Sequence, residues 1–181
     1  MARSVDQTKD RIVEAATAEF SRHGIAGARV DRIVAAAGCG KGLVYNYFGS
    51  KDLLFDEVYH RLVTEAVEAV EFSADDLPGY AVALYDHVRD NPVVARLTTW
   101  HQLERGPSPD PVAQASNQRK RRALSEAQRN GTVDSSIPPA HLLDMIVALA
   151  MMGAGATTDG ARLKESLRHT VEKMVAPTHR E

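Results

Sequence analysis

Two short amphipathic segments on either side of a glycine turn constrain this chain more than any other feature of its sequence. In Val30–Ala37, apolar residues recur with the spacing of one helix face. Gly38 follows, and glycine tolerates the positive φ that a tight turn needs. In Lys41–Phe48, Val44 and Phe48 share one face, which leaves the remaining side chains for solvent or a partner. Two short helices joined in this way predict a helix-turn-helix.

Helical patterns also fill the rest of the chain. No segment shows the alternation of apolar and polar residues between turn pairs that a sheet requires. We therefore predict an all-α protein of about nine helices, in which Gly24 ends the first helix and Ser50 caps the fourth. The predicted helices are Thr8–His23, Val30–Ala37, Lys41–Phe48, Lys51–Phe72, Leu77–Arg89, Pro92–Glu104, Pro111–Asn130, Pro139–Met152 and Gly160–Val175.

The charge is distributed unevenly around the predicted turn. The whole chain has a net charge of −2, but Arg22–Lys51 contains five basic residues and one acidic residue. A local basic region inside an acidic molecule can attract nucleic acid, although a solvated basic face is the commoner interpretation. We interpret a second basic run, Arg119–Arg122, as a solvated helix face. We interpret the single cysteine, Cys39, as a small buried residue and not as a thiol sensor.

Several function classes lack their signature in this sequence. It has no nucleophile elbow, phosphate loop or zinc motif, and its seven histidines form no close ligand pair. We therefore expect no enzyme activity, no cofactor and no metal, although a helical enzyme and a helical adaptor remain the rival hypotheses. No apolar run reaches the length of a membrane span and no signal peptide is evident, so we expect a cytoplasmic protein without a membrane partner.

The predicted helix-turn-helix resembles the TetR-type transcriptional regulators. The resemblance lies in Ile33–Leu54 and extends to Glu19-Phe20 and Arg22-His23-Gly24 of the first helix. Within it, Gly38, the Leu43–Phe48 run and the Ser50-Lys51-Asp52 turn followed by two leucines match the pattern of the family. The chain departs from the family at Cys39-Gly40, where Val-Ser is usual, at Val34, where alanine is usual, and at Ala28-Arg29-Val30, where a serine or threonine is usual.

The resemblance implies two domains with different functions. It implies a DNA-binding domain at residues 1–50, extending to about 62 through the start of the connecting helix, and a helical effector-binding and dimerisation domain at 51–181. Such a protein is a sequence-specific regulator, most often a repressor, that binds a palindromic DNA operator as a homodimer. A small-molecule effector in the second domain then controls DNA binding by moving the connecting helix.

The predicted DNA contacts surround the second helix of the motif. Exposed polar and aromatic groups there can reach the major groove, and tyrosines, lysines and helix N-termini commonly hold phosphates. Asn46 has an amide that can pair with adenine, and Arg29 could supply a charge-assisted phosphate contact. The full predicted set is Arg29, Gly40, Lys41, Gly42, Leu43, Tyr45, Asn46, Tyr47 and Lys51.

The C-terminal helices offer candidates for the dimer interface and the effector pocket. Two apolar stripes predict the interface: Leu142, Ile146 and Leu149, with Leu163, Leu167 and Val171. Aromatic side chains and an adaptable methionine are the candidates for the pocket, although core packing is the commoner interpretation of such residues: Tyr85, Trp100, His101 and Met151. The small run Gly153–Ala156 could allow close helix approach or could be a loop.

Overall fold

The computed structural model describes residues 2–106, 110–152 and 160–177, and of residues 2–6 it describes the backbone alone. Within these ranges the chain forms helices and no strand, which confirms the predicted all-α fold. The small run Gly153–Ala156 lies outside the described residues. The helices are α1 Ala2–Gly27, α2 Val30–Ala37, α3 Lys41–Phe48, α4 Lys51–Ala69, α5 Leu77–Asp90, α6 Pro92–Arg105, α7 Pro111–Arg129, α8 Pro139–Met151 and α9 Gly160–Val175.

Turn chemistry fixes several of these helix ends. The bounds of α2, α3 and α9 agree with the prediction, and Ser50 caps α4 as expected, because its Oγ accepts the Leu53 N–H at 3.1 Å. The first helix differs from the prediction. It begins at Ala2, bends at Gly24, where φ is 67° and ψ is −174°, and resumes as far as Gly27. Gly24 therefore interrupts α1 as a positive-φ residue, but the helical chain continues beyond it.

The chain divides into two compact units, and the division differs from the predicted domain bounds. The first unit is Met1–Thr64 with Arg96–Asp110, and the second is Glu65–Ala95 with Pro111–Glu181. The division after residue 50 does not separate these units, because the first part of α4 and most of α6 pack with the N-terminal helices. Helices α4 and α6 each run through both units.

The first unit has a core of apolar side chains from four N-terminal helices and α6. The predicted apolar face of α1 is fully buried at Ile12, Ala16 and Phe20. Phe20 meets Phe55 of α4 edge to face, with ring centroids 5.2 Å apart. Burial of each large apolar side chain contributes about 1.5–3 kcal/mol. The other core residues of this unit include Ile33, Ala37, Val44, Phe48, Leu54, Val58 and Leu97.

The second unit is built around α5, which packs against both α8 and α9. Leu142, Ile146, Leu167 and Val171 are buried in its core. These four side chains were predicted to lie at a dimer interface, and the structure corrects that assignment: other helices of the same chain already cover them. Leu149 and Leu163, from the same predicted set, are partly buried against this core.

Candidate nucleic-acid interface

The turn between α2 and α3 is built from backbone hydrogen bonds around a left-handed glycine. Gly38 has φ 62° and ψ 42°, and its N–H donates to the Ala35 carbonyl at 3.4 Å. The Cys39 N–H donates to the Val34 carbonyl at 3.1 Å. A Cβ at Gly38 would have open space around it, so backbone conformation and not crowding selects glycine here. The turn closes α2 and sets the direction in which α3 leaves.

Two buried side chains pack helix α3 against the first unit, and the other side of the helix is exposed to solvent. Val44 is fully buried and Phe48 is nearly so, whereas Leu43 and Tyr45 are 38% and 44% exposed. These exposed side chains leave the outer face of α3 accessible to a partner. The predicted contact residues Arg29, Gly40, Lys41, Gly42 and Asn46 are likewise exposed, and Tyr47 and Lys51 are half-buried.

The N-terminal end of α3 is open to an anion. Gly40 stands at the N-cap position with φ −82° and has no side chain to accept the first N–H groups of the helix. The N–H groups at the start of a helix, aligned with the helix dipole, favour a phosphate. Beside them the Lys41 ammonium lies 3.0 Å from Asp31, and this hydrogen bond raises the pKa of Lys41. Lys41 is therefore positively charged at neutral pH.

A nearly buried carboxylate joins α1 to the start of α2. Glu19 accepts the Arg29 N–H at 2.9 Å and the Arg32 Nε–H at 2.7 Å. Burial alone would raise the pKa of Glu19, but these hydrogen bonds and the Arg32 charge outweigh it and lower the pKa. Glu19 thereby fixes the beginning of α2 through the backbone of Arg29. The Arg29 side chain, which the sequence analysis assigned to DNA, is left exposed.

Lys51, a predicted phosphate contact, makes hydrogen bonds within the fold. Its Nζ donates to the carbonyl of Ala28 at 3.1 Å and to that of Ala26 at 3.4 Å. Arg32 donates in the same region to the carbonyl of Gly27 at 3.0 Å. Lys51 therefore ties the first turn of α4 to the connection between α1 and α2.

The end of α6 makes contacts that the sequence analysis did not predict. Glu104 accepts the N–H groups of Ile25 and Ala26 at 2.9 and 2.8 Å, and the Trp100 indole N–H donates to the Ser21 carbonyl at 3.3 Å. No local sequence signal marks Glu104, because its partners lie 79 and 78 residues earlier in the chain. Only the positive φ of Gly24 hints that a group from elsewhere must satisfy the N–H groups after the bend.

The four predicted effector-pocket residues are divided between the units. Tyr85 is buried in the second unit and its hydroxyl lies 3.5 Å from the Gly160 carbonyl, while Met151 is half-buried. Trp100 and His101 belong to the first unit. The His101 ring stacks on Tyr59 with centroids 4.1 Å apart, and burial lowers the pKa of His101. Tyr85, Trp100 and His101 each make contacts within their own unit, and the pocket stays a prediction.

The basic run Arg119–Arg122 is split among several environments. Arg119 and Arg122 are exposed, whereas Arg121 pairs with Asp144 at 3.2 Å. The Lys120 ammonium donates to the Tyr80 hydroxyl at 2.9 Å, and burial lowers the pKa of Lys120. These side chains do not form one continuous cationic surface. Cys39 is a free thiol that is partly exposed in the turn.

The sequence also predicts that the protein has no metal site and no membrane-spanning helix. Among the residues that the structure describes, no three His, Cys, Asp or Glu side chains come together as a metal site would require. No described helix combines the length and the apolar character needed to cross a membrane.

The comparisons with known proteins agree with this geometry. A protein-family model described as "Bacterial regulatory proteins, tetR family" matches residues 12–58. A model described as "Tetracyclin repressor-like, C-terminal domain" matches residues 76–176. The HTH-type transcriptional repressor SCO4008 of Streptomyces coelicolor is 37% identical to this chain over 95% of the chain and 99% of the relative.

Two solved structures extend the comparison to the fold. The transcriptional regulator SCO4942 of Streptomyces coelicolor has a TM-score of 0.84 and 40% identity, covering 94% of this chain and 99% of that one. A TetR family transcription regulator from Marinobacter aquaeolei VT8 has a TM-score of 0.73 and 18% identity, and the match covers 98% of this chain and 100% of that one. At this identity the second comparison shows the fold alone. With both family models matched and relatives similar over nearly their whole length, this chain belongs to the TetR family of bacterial transcriptional regulators.

Proposed function

We propose that this protein is a repressor that binds a palindromic DNA operator as a homodimer and is controlled by a small-molecule effector. The observation that carries the proposal is the exposed face of α3, with Leu43 and Tyr45 in water while Val44 and Phe48 seat the helix. This is the arrangement that a recognition helix needs in order to enter the major groove. A protein that reads chromosomal DNA in a bacterium works in the cytoplasm.

A dimer would present two copies of α3 to successive turns of the duplex. Half-sites one turn apart are separated by roughly 34–36 Å, so two fixed recognition helices read them together. We assign the dimer surface to the exposed sides of α8 and α9. Met145 on α8 is 46% exposed, and Met152 at the C-cap of α8 is 69% exposed. Met152 follows Met145 by seven positions, about two helical turns, and its C-cap backbone is still helical, so both side chains lie on the same side of the helix axis.

The effector would act in the C-terminal domain, at residues 51–181. The predicted lining residues fall in different units, Trp100 and His101 in the first and Tyr85 and Met151 in the second, and we keep Tyr85 and Met151 as the candidates for this pocket. A thermal-shift screen of small molecules tests this part of the proposal, because a ligand that binds only the folded protein raises its melting temperature by mass action. A hit must also change the affinity for DNA, since a ligand without that effect is not an effector.

Selection of duplexes from a random library, followed by titration of the selected duplex and a scrambled duplex of equal length, tests DNA recognition. We expect the selected sequences to be palindromic and to bind at least about 1,000-fold more tightly than the scrambled duplex. Equal affinity for both duplexes would contradict the repressor proposal and favour the helical adaptor.

Tyr47→Ala and Lys51→Ala refine the placement of DNA on this surface. We expect both to weaken operator binding, and Lys51→Ala to reduce the slope of log affinity against log salt by about one if its ammonium touches a phosphate. Leu103→Ala, at a residue 72% exposed on α6, is the control. Weaker binding by Lys51→Ala with an unchanged slope would assign Lys51 to the fold alone.

A further inference from the structure

The last turns of α6 contact both elements that flank the helix-turn-helix. Trp100 and Glu104 bind the end of α1, as described above. Arg105 reaches the first two turns of α4, with its guanidinium 2.9 Å from Asp52 and 3.5 Å from Asp56. All these groups belong to the first unit. We call Trp100, Glu104 and Arg105 the α6 clamp.

Glu104 performs the task of a helix N-cap from a distant helix. After the bend at Gly24 the chain begins a new helical turn, whose first N–H groups lack acceptors within that turn. The Glu104 carboxylate accepts two of them, one on each oxygen. Hydrogen bonds to an ionised acceptor are stronger than those between neutral groups. A neutral side chain at this position cannot replace both bonds.

Gly24 makes this approach possible. A Cβ at Gly24 would lie 2.7 Å from Cε3 of Trp100, closer than real side-chain atoms approach each other, and it would also strike the Glu104 carboxylate. The clamp therefore requires glycine at this position, because α6 can reach the backbone of α1 only where no side chain intervenes.

The backbone that Glu104 holds leads directly into the helix-turn-helix. Residues 25–29 connect the bend in α1 to α2, and Val30 begins α2. Charged side chains bind the polar backbone groups of this connection from several directions: Glu19 from α1, Arg32 from α2, Lys51 from α4 and Glu104 from α6. Of these four, Glu104 alone lies outside residues 12–58, which match the DNA-binding family model.

We propose that Glu104 is a positioning residue for operator recognition, which sets the placement of α2 and α3 by holding the backbone of Ile25 and Ala26. The proposal rests on the proposed function. Two recognition helices read paired half-sites only when both are correctly placed, whereas nonspecific attraction to phosphates tolerates small displacements. Loss of Glu104 should therefore reduce specific binding far more than nonspecific binding.

The test compares Glu104→Ala and Glu104→Gln with two controls in the full-length protein. Gln102→Ala changes an exposed neighbour on α6, and Glu65→Gln removes one negative charge from an exposed position on α4. Affinity is measured for the selected duplex and for the scrambled duplex at one salt concentration, together with the melting temperature. Hydrogen exchange at the Ile25 and Ala26 amides reports the contact directly.

We expect Glu104→Ala to lower affinity for the selected duplex by about tenfold or more and affinity for the scrambled duplex by less than about twofold. Glu104→Gln should fall between it and the wild type, because the amide oxygen can accept one of the two N–H groups. Exchange at Ile25 and Ala26 should become faster in Glu104→Ala and stay unchanged in both controls.

Three outcomes overturn the proposal. An unchanged ratio of the two affinities in Glu104→Ala, or an equal loss of both with a lower melting temperature, would leave Glu104 as a stabilising residue only. Unchanged hydrogen exchange at the Ile25 and Ala26 amides in Glu104→Ala would show that Glu104 does not bind these amides in solution. A wild-type protein with equal affinity for both duplexes would instead contradict the proposed function, and this inference with it.

Discussion

Both units of this protein have an apolar core, and they differ in the charged side chains that the first unit adds to its core. In the first unit, charged side chains bind named backbone groups, as Glu19 binds the Arg29 N–H and Lys51 the Ala28 carbonyl. In the second unit, apolar faces of α5, α8 and α9 bury one another. A directional bond specifies its partner, whereas an apolar face is satisfied by any apolar surface that covers it. An apolar stripe therefore predicts burial reliably but does not predict which surface covers it.

The largest effect should come from the apolar core of the second unit. Leu142→Ala should lower the free energy of unfolding by about 2–5 kcal/mol, because it leaves a cavity in a fully buried site. The exposed neighbour His141→Ala should change it by less than about 0.5 kcal/mol. Urea unfolding measures both. A Leu142→Ala protein with unchanged unfolding that sediments as a monomer where the wild type is a dimer would return this residue to the interface.

An intermediate effect should come from the directional bonds of the first unit. Glu19→Gln should lower the free energy of unfolding at pH 7 by roughly 1–3 kcal/mol, because it weakens two charge-assisted hydrogen bonds at a nearly buried site. Urea unfolding at pH values from 7 to 3 measures this difference.

The pH dependence follows from the lowered pKa of Glu19 in the folded protein. The carboxylate contributes its stability above the unfolded pKa of about 4.3, and that contribution is lost as the pH falls through the lower folded value. The difference between the wild type and Glu19→Gln should therefore be full at pH 7 and shrink as the solution becomes strongly acidic. A difference independent of pH would mean that the side-chain charge is irrelevant.

The smallest effect should come from the glycines of the turn, where two substitutions distinguish the requirement for a backbone conformation from the requirement for space. Gly38→Ala should lower the free energy of unfolding by about 1 kcal/mol, because alanine is strained at φ 62° even though its Cβ has room. Gly40 has equal space but φ −82°, so Gly40→Ala should change stability by less than about 0.5 kcal/mol, because the lower entropy of the unfolded chain offsets the poorer N-cap. Equal losses of stability in the two variants would show that the positive φ of Gly38 does not select glycine there.

The sequence predicts the helix-turn-helix well because its determinants are local. Gly38 and the burial of Val44 and Phe48 can be read within about twenty residues, and the bounds of α2 and α3 agree with the structure. The predicted exposure of Lys41, Leu43 and Tyr45 also agrees with the structure. That these residues contact DNA stays a prediction, because exposure permits a contact without establishing it.

Other features of the chain depend on distant partners and could not be predicted. The hydrogen bonds of Glu104 join residues far apart in sequence, and no periodicity signals such a contact. The role of Lys51 was partly missed for the same reason, since its carbonyl acceptors precede it by more than twenty residues. Leu142 and Val171 were correctly expected to be buried, but the sequence pattern did not distinguish α5 of the same chain from a second protomer.

Trp100 gives the protein a built-in optical reporter. It is the only tryptophan in the sequence, and its indole N–H is bonded to the carbonyl of Ser21 beside the bend in α1. Intrinsic fluorescence excited at the red edge of protein absorption therefore comes from this one junction. A change in its emission when DNA or a small molecule is added would register a change at the α1–α6 contact, without any label attached to the chain.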